Sequence, residues 1–142
     1  MTGLPAWINQ YVGLPFAEHG RDRAGVDCWG LVRLIYQEQF GVTLPSYAEA
    51  YRTTADAEEI GALVRKVAAT SWESVPLPEA RLGDVLMLRV RNQSMHCALV
   101  LTPPSFLHIQ RGPDAVVERW DAWNWSKRIS GVFRHEAMTR CQ

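Results

Sequence analysis

In the stretch GVDCWGLVRLIY, residues 25–36, a cysteine stands between Asp27 and Trp29 where a helix begins. Asp27 is a favoured N-cap residue, and Cys28, Leu31, Val32 and Ile35 share one face at i, i+3, i+4 and i+7. A thiol in the first turn of a helix meets unpaired backbone N–H groups and the positive end of the macrodipole. Both favour thiolate over thiol and make the sulfur a nucleophile near neutral pH. A base is still needed to hold the attacking geometry and to protonate a leaving amine.

His96 and His108 are the candidates for that base, and both fall on predicted strands. Alternation places His96, Ala98 and Val100 on one face, and Phe106, His108 and Gln110 on one face of the next strand. A tight turn near Thr102–Pro104 would pair the two strands antiparallel. His108 would then lie opposite His96 or diagonal to it, depending on register. One imidazole near the sulfur and a second polar group fixing its tautomer is the relation of base to orienter. The arrangement requires the helix N-terminus to pack on the sheet face that carries the histidines. His19, in a polar loop, and His135, near the end of the last strand, are read as structural, and Cys97 and Cys141 as small apolar residues.

The elements that position these groups divide the chain in two. Pro5 suits the first turn of a helix with Trp7, Ile8, Tyr11 and Val12 at helical spacing, ended by Gly13 and Pro15. Residues 17–26 read as a loop. The central helix runs from about Cys28 to Phe40 with Gly41 as its left-handed cap. A third helix is expected from near Asp56 to Ala69, with Ile60, Leu63, Val64 and Val67 as its apolar stripe. From Pro76 the period changes to short strands: 83–90, 96–102, 105–111, 115–120 and 129–135. Short gaps between them point to consecutive antiparallel strands, so helices first and a meander second give an α+β domain.

Composition narrows the function classes. The 142 residues, 47% hydrophobic, suit a single domain over 1–142. Fifteen basic and fifteen acidic residues balance, which leaves no charge footprint for nucleic acid or anionic lipid. No apolar stretch approaches the roughly 18–20 residues of a membrane span. The start, MTGLPAWINQYV, has neither a basic region nor an apolar core, so no signal peptide is read and synthesis in the cytoplasm is expected. Three cysteines without C-x-x-C spacing argue against a disulfide framework. A zinc site from Cys28, His96, Cys97 and His108 is disfavoured, since strand neighbours point to opposite faces. No metal or cofactor is expected.

These residues resemble the NlpC/P60 family of papain-like cysteine peptidases. The carriers are GVDCWGLV at the helix start, LGDVLML on the first strand, MHCALVL opening the next, and FLHIQRG with the third polar residue. The match runs from WINQYVGLPF to GVFRH. The tryptophan of DCWGLVR, the GVTLPSY after the helix and the closing RISGVFRH are similar to the variant encoded beside tail genes of bacteriophages and gene transfer agents. The resemblance implies a papain-like α+β fold with N-terminal helices packed on a C-terminal antiparallel sheet. It implies Cys28 as nucleophile, His96 as general base and His108 as orienting residue. Substrate-binding roles fall to Asp27, which in some members helps bind a free substrate amine, and to its neighbour Trp29. The implied substrate is a peptidoglycan stem peptide cut between the γ-carboxyl of D-glutamate and a diamino acid. The implied setting is a virion tail or tail-like particle, with other tail proteins as partners, acting in the periplasm or wall of the target cell.

Two departures bear on substrate. Serine usually follows the cysteine in wall-recycling members, where this chain has Trp29. Many carry tyrosine where this chain has Phe16, and Tyr11, the nearest alternative hydroxyl, reads as a helix-face residue. Trp120, Trp123 and Trp125 cluster in VERWDAWNWSKR and read as packing or protein-interface residues. The competing reading is a non-catalytic tail-tip plug or assembly protein on the same fold.

Overall fold

The computed structural model describes residues 3–48, 66, 71–90, 93–110 and 112–139. The expected third helix lies outside the described residues apart from Lys66, and so does Cys141.

The first turn, Ala6–Gln10, winds as a 3-10 helix rather than the expected α-helix. At three residues per turn Ile8 stacks with Tyr11, and both are buried, whereas Val12 swings out to 44% exposure. Within the expected loop 17–26, strands β1 (Arg21–Asp22) and β2 (Gly25–Val26) form a short antiparallel ladder.

Helix α1 covers Cys28–Ile35, and Asp27 caps it by accepting from the Gly30 N–H at 2.8 Å. The next residues, Tyr36–Phe40, widen into a π turn that ends at Gly41, whose φ of 68° is left-handed as expected. The Tyr36 and Phe40 rings meet edge-on there, 5.3 Å apart. Gly30 is required by contact: a Cβ would lie 2.0 Å from the Gly20 carbonyl oxygen. The close approach seats the β1–β2 ladder on the helix N-terminus.

Among the described residues six strands form the sheet: β3 (Trp72–Val75), β4 (Val85–Val90), β5 (Gln93–Val100), β6 (Ser105–His108), β7 (Val116–Arg119) and β8 (Ile129–His135). Their order is β3-β8-β4-β5-β6-β7, and each pair is antiparallel. The expected meander therefore holds only for β4 to β7. After β7 the chain crosses back, and β8 fills the free edge of β4. That edge would otherwise leave a row of unpaired backbone groups beside a buried strand. Strand β3 escaped the sequence reading because its alternation is masked, with Glu73 and Ser74 both exposed. A buried ion pair, Arg134 to Asp84 at 2.8 Å, fixes β8 to the start of β4.

The sheet separates two apolar clusters. On one face α1 packs Leu31, Val32, Leu34 and Ile35 against Val85, Met87, Cys97, Leu99 and Leu107. On the other, Leu86, Leu88, Ala98, Val100 and Phe106 are covered by Trp120 and Trp125 from the connection before β8. The fold is α+β, with N-terminal helical turns packed on a C-terminal antiparallel sheet.

Candidate active site

The Cys28 sulfur, half-buried at the head of α1, packs beside β5 against the cluster that holds Cys97, near enough to His96 and Cys97 for both to act on its ionisation. Strand register explains how. Strands β5 and β6 pair only at Leu99–Leu107 and Val100–Phe106, so the Cys97 N–H, which points toward β6, has no strand partner there. The ladder between β4 and β5 also skips Met95, a bulge immediately before His96. The sulfur fills the opening.

The helix does not pack on the histidine-bearing face of the sheet, contrary to the expectation from the sequence. Helix α1 packs on the Cys97 face, and His96 belongs to the opposite face with Leu88, Ala98 and Trp125. The thiol still lies close to the imidazole because α1 begins beside β5 where β6 has parted from it, past the Leu99–Leu107 pair. His96 and Cys97 lie on opposite sides of β5, as strand alternation requires.

His96 Nε2 lies 2.8 Å from His108 Nδ1. The ring of His96 is buried, and so is His108, at 1% exposure. On its far side His108 Nε2 meets Glu118 Oε2 at 2.6 Å, and the other oxygen of Glu118 accepts from Trp125 Nε1 at 2.9 Å. The Trp125 indole stacks on His96, with an interplanar angle of 22°, and stands edge-on to His108. The groups form one line: Cys28, His96, His108, Glu118.

The charge states follow from these contacts. The Cys97 thiol donates to Cys28 and, against the cost of burial, helped by hydrogen bonding and charge from His96, holds the Cys28 thiol well below its ordinary value. Cys97 moves the opposite way, held protonated by that same bond and by burial. Burial, then repulsion by His96, pushes His108 down to about 4, so this ring is neutral at pH 7. Burial works against ionising Glu118, yet hydrogen bonds from Trp125 and His108 hold its carboxylate below the usual value.

Asp27 is fully buried. One oxygen accepts from Gly30 and from the Arg21 guanidinium at 2.8 Å, and the other accepts from the His19 N–H at 3.1 Å. Arg21 in turn donates to the Ser46 carbonyl and hydroxyl, tying residues 44–47 to the helix start. Trp29 donates from its indole to the Pro45 carbonyl at 2.8 Å and faces Tyr47 and Trp72. Tyr11 is buried with its hydroxyl taken by Glu38 and Gln39 at the opposite end of the helix, roughly 15 Å along the axis from Cys28. His135 packs on Trp72 and accepts from the Ala137 N–H.

The structure thus brings Cys28, His96 and His108 together, while Asp27 caps the helix that carries Cys28 and the Trp29 ring packs on Tyr47 and Trp72. It adds four residues that were not named for the site: Cys97, Glu118, Trp125 and Arg21. Glu118 was detectable in principle, as a charge at the centre of the short strand AVVERW, two strands over from His96. Of the tryptophan cluster, Trp120 and Trp125 are packing residues, and Trp123 is 91% exposed.

Relatives agree with this architecture. The NlpC/P60 family description matches residues 13–134. The murein DD-endopeptidase MepS/murein LD-carboxypeptidase of Escherichia coli is 25% identical over 130 residues, covering 89% of this chain and 60% of its own. A probable endopeptidase, an NlpC homolog of Haemophilus influenzae, is 24% identical over 124 residues, covering 87% of this chain and 57% of its own. This chain therefore spans about 60% of the length of those relatives. Among solved structures, the NlpC/p60 domain of the peptidoglycan hydrolase SagA has a TM-score of 0.61 at 22% identity, covering 91% of this chain and 93% of that one. NlpC1 of Trichomonas vaginalis has a TM-score of 0.64 at 13% identity, covering 90% of this chain and 41% of that one. With the family's match extending over most of its length, the chain belongs to the NlpC/P60 family.

Proposed function

We propose that this chain is a cysteine endopeptidase that cuts peptidoglycan stem peptides. The observation that carries the reading is the Cys28 thiol at a helix start beside His96, which favours its ionisation and whose Nε2 is held at 2.8 Å by a second histidine. The names of the relatives, among them a murein endopeptidase, supply the substrate class.

The chemistry is acyl transfer. The Cys28 thiolate attacks the scissile carbonyl, and the oxyanion forms near the Cys28 N–H, one of the first-turn donors that a helix leaves unpaired. The His96 imidazolium gives its proton to the departing amine as the carbon–nitrogen bond breaks, leaving a thioester. Water then loses a proton to His96 and attacks the thioester, which releases the carboxylate product and restores thiolate and imidazolium. His108 orients His96. Asp27 secures the helix start, and a substrate amine reaching it would compete with the Arg21 guanidinium for its carboxylate. Trp29 offers the stem peptide an aromatic wall.

The bond between γ-D-glutamate and the diamino acid is our assignment, and the DD bond in the name of the Escherichia coli relative is the alternative. DCWGLVR, GVTLPSY and RISGVFRH support placement in a phage tail or tail-like particle that opens the wall of a target cell for DNA, beside other tail proteins. Mass analysis of the fragments released from purified peptidoglycan identifies the bond. Absence of stem-peptide fragments from host walls treated with the native particle, or equal DNA transfer by Cys28→Ala particles, would leave a structural tail protein instead.

A further inference from the structure

We propose that Glu118 is a positioning residue that sets the tautomer of both imidazoles, so that the proton-accepting nitrogen of His96 faces Cys28. The inference rests on the peptidase reading above but is tested partly without it.

A neutral imidazole has one donor and one acceptor, and geometry alone does not say which nitrogen is which. For His108 the partners decide. Its Nε2 lies 2.6 Å from a carboxylate oxygen, and an ionised carboxylate can only accept. His108 must therefore donate from Nε2, which leaves a lone pair on Nδ1. That lone pair faces His96 Nε2 at 2.8 Å, so His96 must donate from Nε2 in turn. The nitrogen of His96 left over is Nδ1, and we assign it the exchange of a proton with Cys28, whose ionisation this ring favours. Without an acceptor at position 118, His108 could serve either tautomer and would orient nothing.

The carboxylate is itself held. Phe106 pairs with Glu118 and His108 with Val116, so Glu118 and His108 are diagonal neighbours on one face. Trp125 Nε1 grips Oε1 at 2.9 Å, and Asn124 also favours the ionised carboxylate. A neutral His108 and an ionised Glu118 are the states that the surroundings favour.

Glu118→Gln is the test. It keeps the shape of a half-exposed side chain, and Trp125 fixes the amide oxygen on itself. The NH2 group then faces His108 Nε2 and demands the other tautomer. Nitrogen-15 NMR of labelled histidine should show His108 protonated at Nε2 in the parent and at Nδ1 in the variant. The pH at which iodoacetamide alkylation of Cys28 reaches half its maximal rate should rise, because the imidazolium facing the thiolate loses its acceptor. Stem-peptide kcat/KM should fall about 10- to 100-fold, mainly in kcat. In a His108→Asn background the same substitution should cost less than about twofold, since the Asn amide can turn its oxygen to His96 whichever group stands at 118. An unchanged His108 tautomer with an unchanged Cys28 titration would overturn the assignment. So would an equal cost of Glu118→Gln with and without His108→Asn, which is what a purely structural role gives. A parent protein that cleaves no peptidoglycan but shows the tautomer reversal refutes the proposed function and leaves this assignment standing.

Discussion

Trp125 covers His96: the indole stacks on the imidazole with ring centroids 6.3 Å apart while its Nε1 donates to Glu118. One side chain thereby shields the contact between His96 and His108 from water and fixes the carboxylate behind it. Trp125→Phe should keep the shield and lose the hydrogen bond, a mild loss of rate. Trp125→Ala should open the pair to solvent and empty a core position, costing about 3–5 kcal/mol in urea denaturation. If the alanine variant is as stable and as active as the parent, Trp125 does not shield the imidazole pair.

The two thiols at the site should differ sharply in reactivity. In a Cys141→Ser background, iodoacetamide near pH 7 should label Cys28 well before Cys97. The bond that stabilises the Cys28 thiolate keeps Cys97 protonated, and Cys97 is buried as well. Peptide mapping of the alkylated sites reads the order, and faster labelling of Cys97 contradicts an activated Cys28.

Substitutions along the line should be graded in rate and not in folding. Cys28→Ala should abolish cleavage, and His96→Ala should be nearly as damaging, since one ring is both base and acid. His108→Ala should be milder, and His108→Asn should recover part of the rate, because an amide oxygen can accept from the His96 N–H. Equal loss at all three positions with His108→Asn no better than alanine would argue against an orienting role.

His108 makes stability depend on pH. Its pKa in the fold, about 4, lies below the ordinary 6.5, so the unfolded chain binds more protons between those values. The contribution is present above pH 6.5 and is lost as pH falls toward 4, on the order of 3 kcal/mol in all. His108→Asn should flatten that part of the profile in denaturant titrations at successive pH values. Parallel profiles for parent and variant would exclude the effect.

Arg21 and Asp27 form a buried pair, with the carboxylate at 0% exposure and the guanidinium at 13%. Arg21→Met should cost about 3–5 kcal/mol, because it strands a buried charge beneath the helix start. Adding Asp27→Asn should restore part of that loss, since the amide oxygen can still cap Gly30 without a counter-charge. A double variant no more stable than Arg21→Met would show that the charge is not what Arg21 serves.

Local rules were enough for the chemistry-bearing elements. A cap, an i, i+4 stripe and a left-handed glycine define α1 whatever packs on it, and period-two alternation assigns His96, Ala98, Phe106 and His108 to one face. Those signals depend on neighbours within a turn or a strand, so they are legible in the chain itself. Three things were decided elsewhere. The β8 strand chose the free edge of β4 over that of β7, a choice between two unpaired edges that no local pattern encodes. Helix α1 settled on the Cys97 face, and the thiol reaches His96 only because β6 parts from β5 beyond Leu99–Leu107. Glu118 meets His108 through a diagonal register across β6 and β7, and register depends on the packing of both sheet faces. The residue types and their faces come from the order of amino acids; which faces meet, and the gap through which they meet, come from long-range strand pairing.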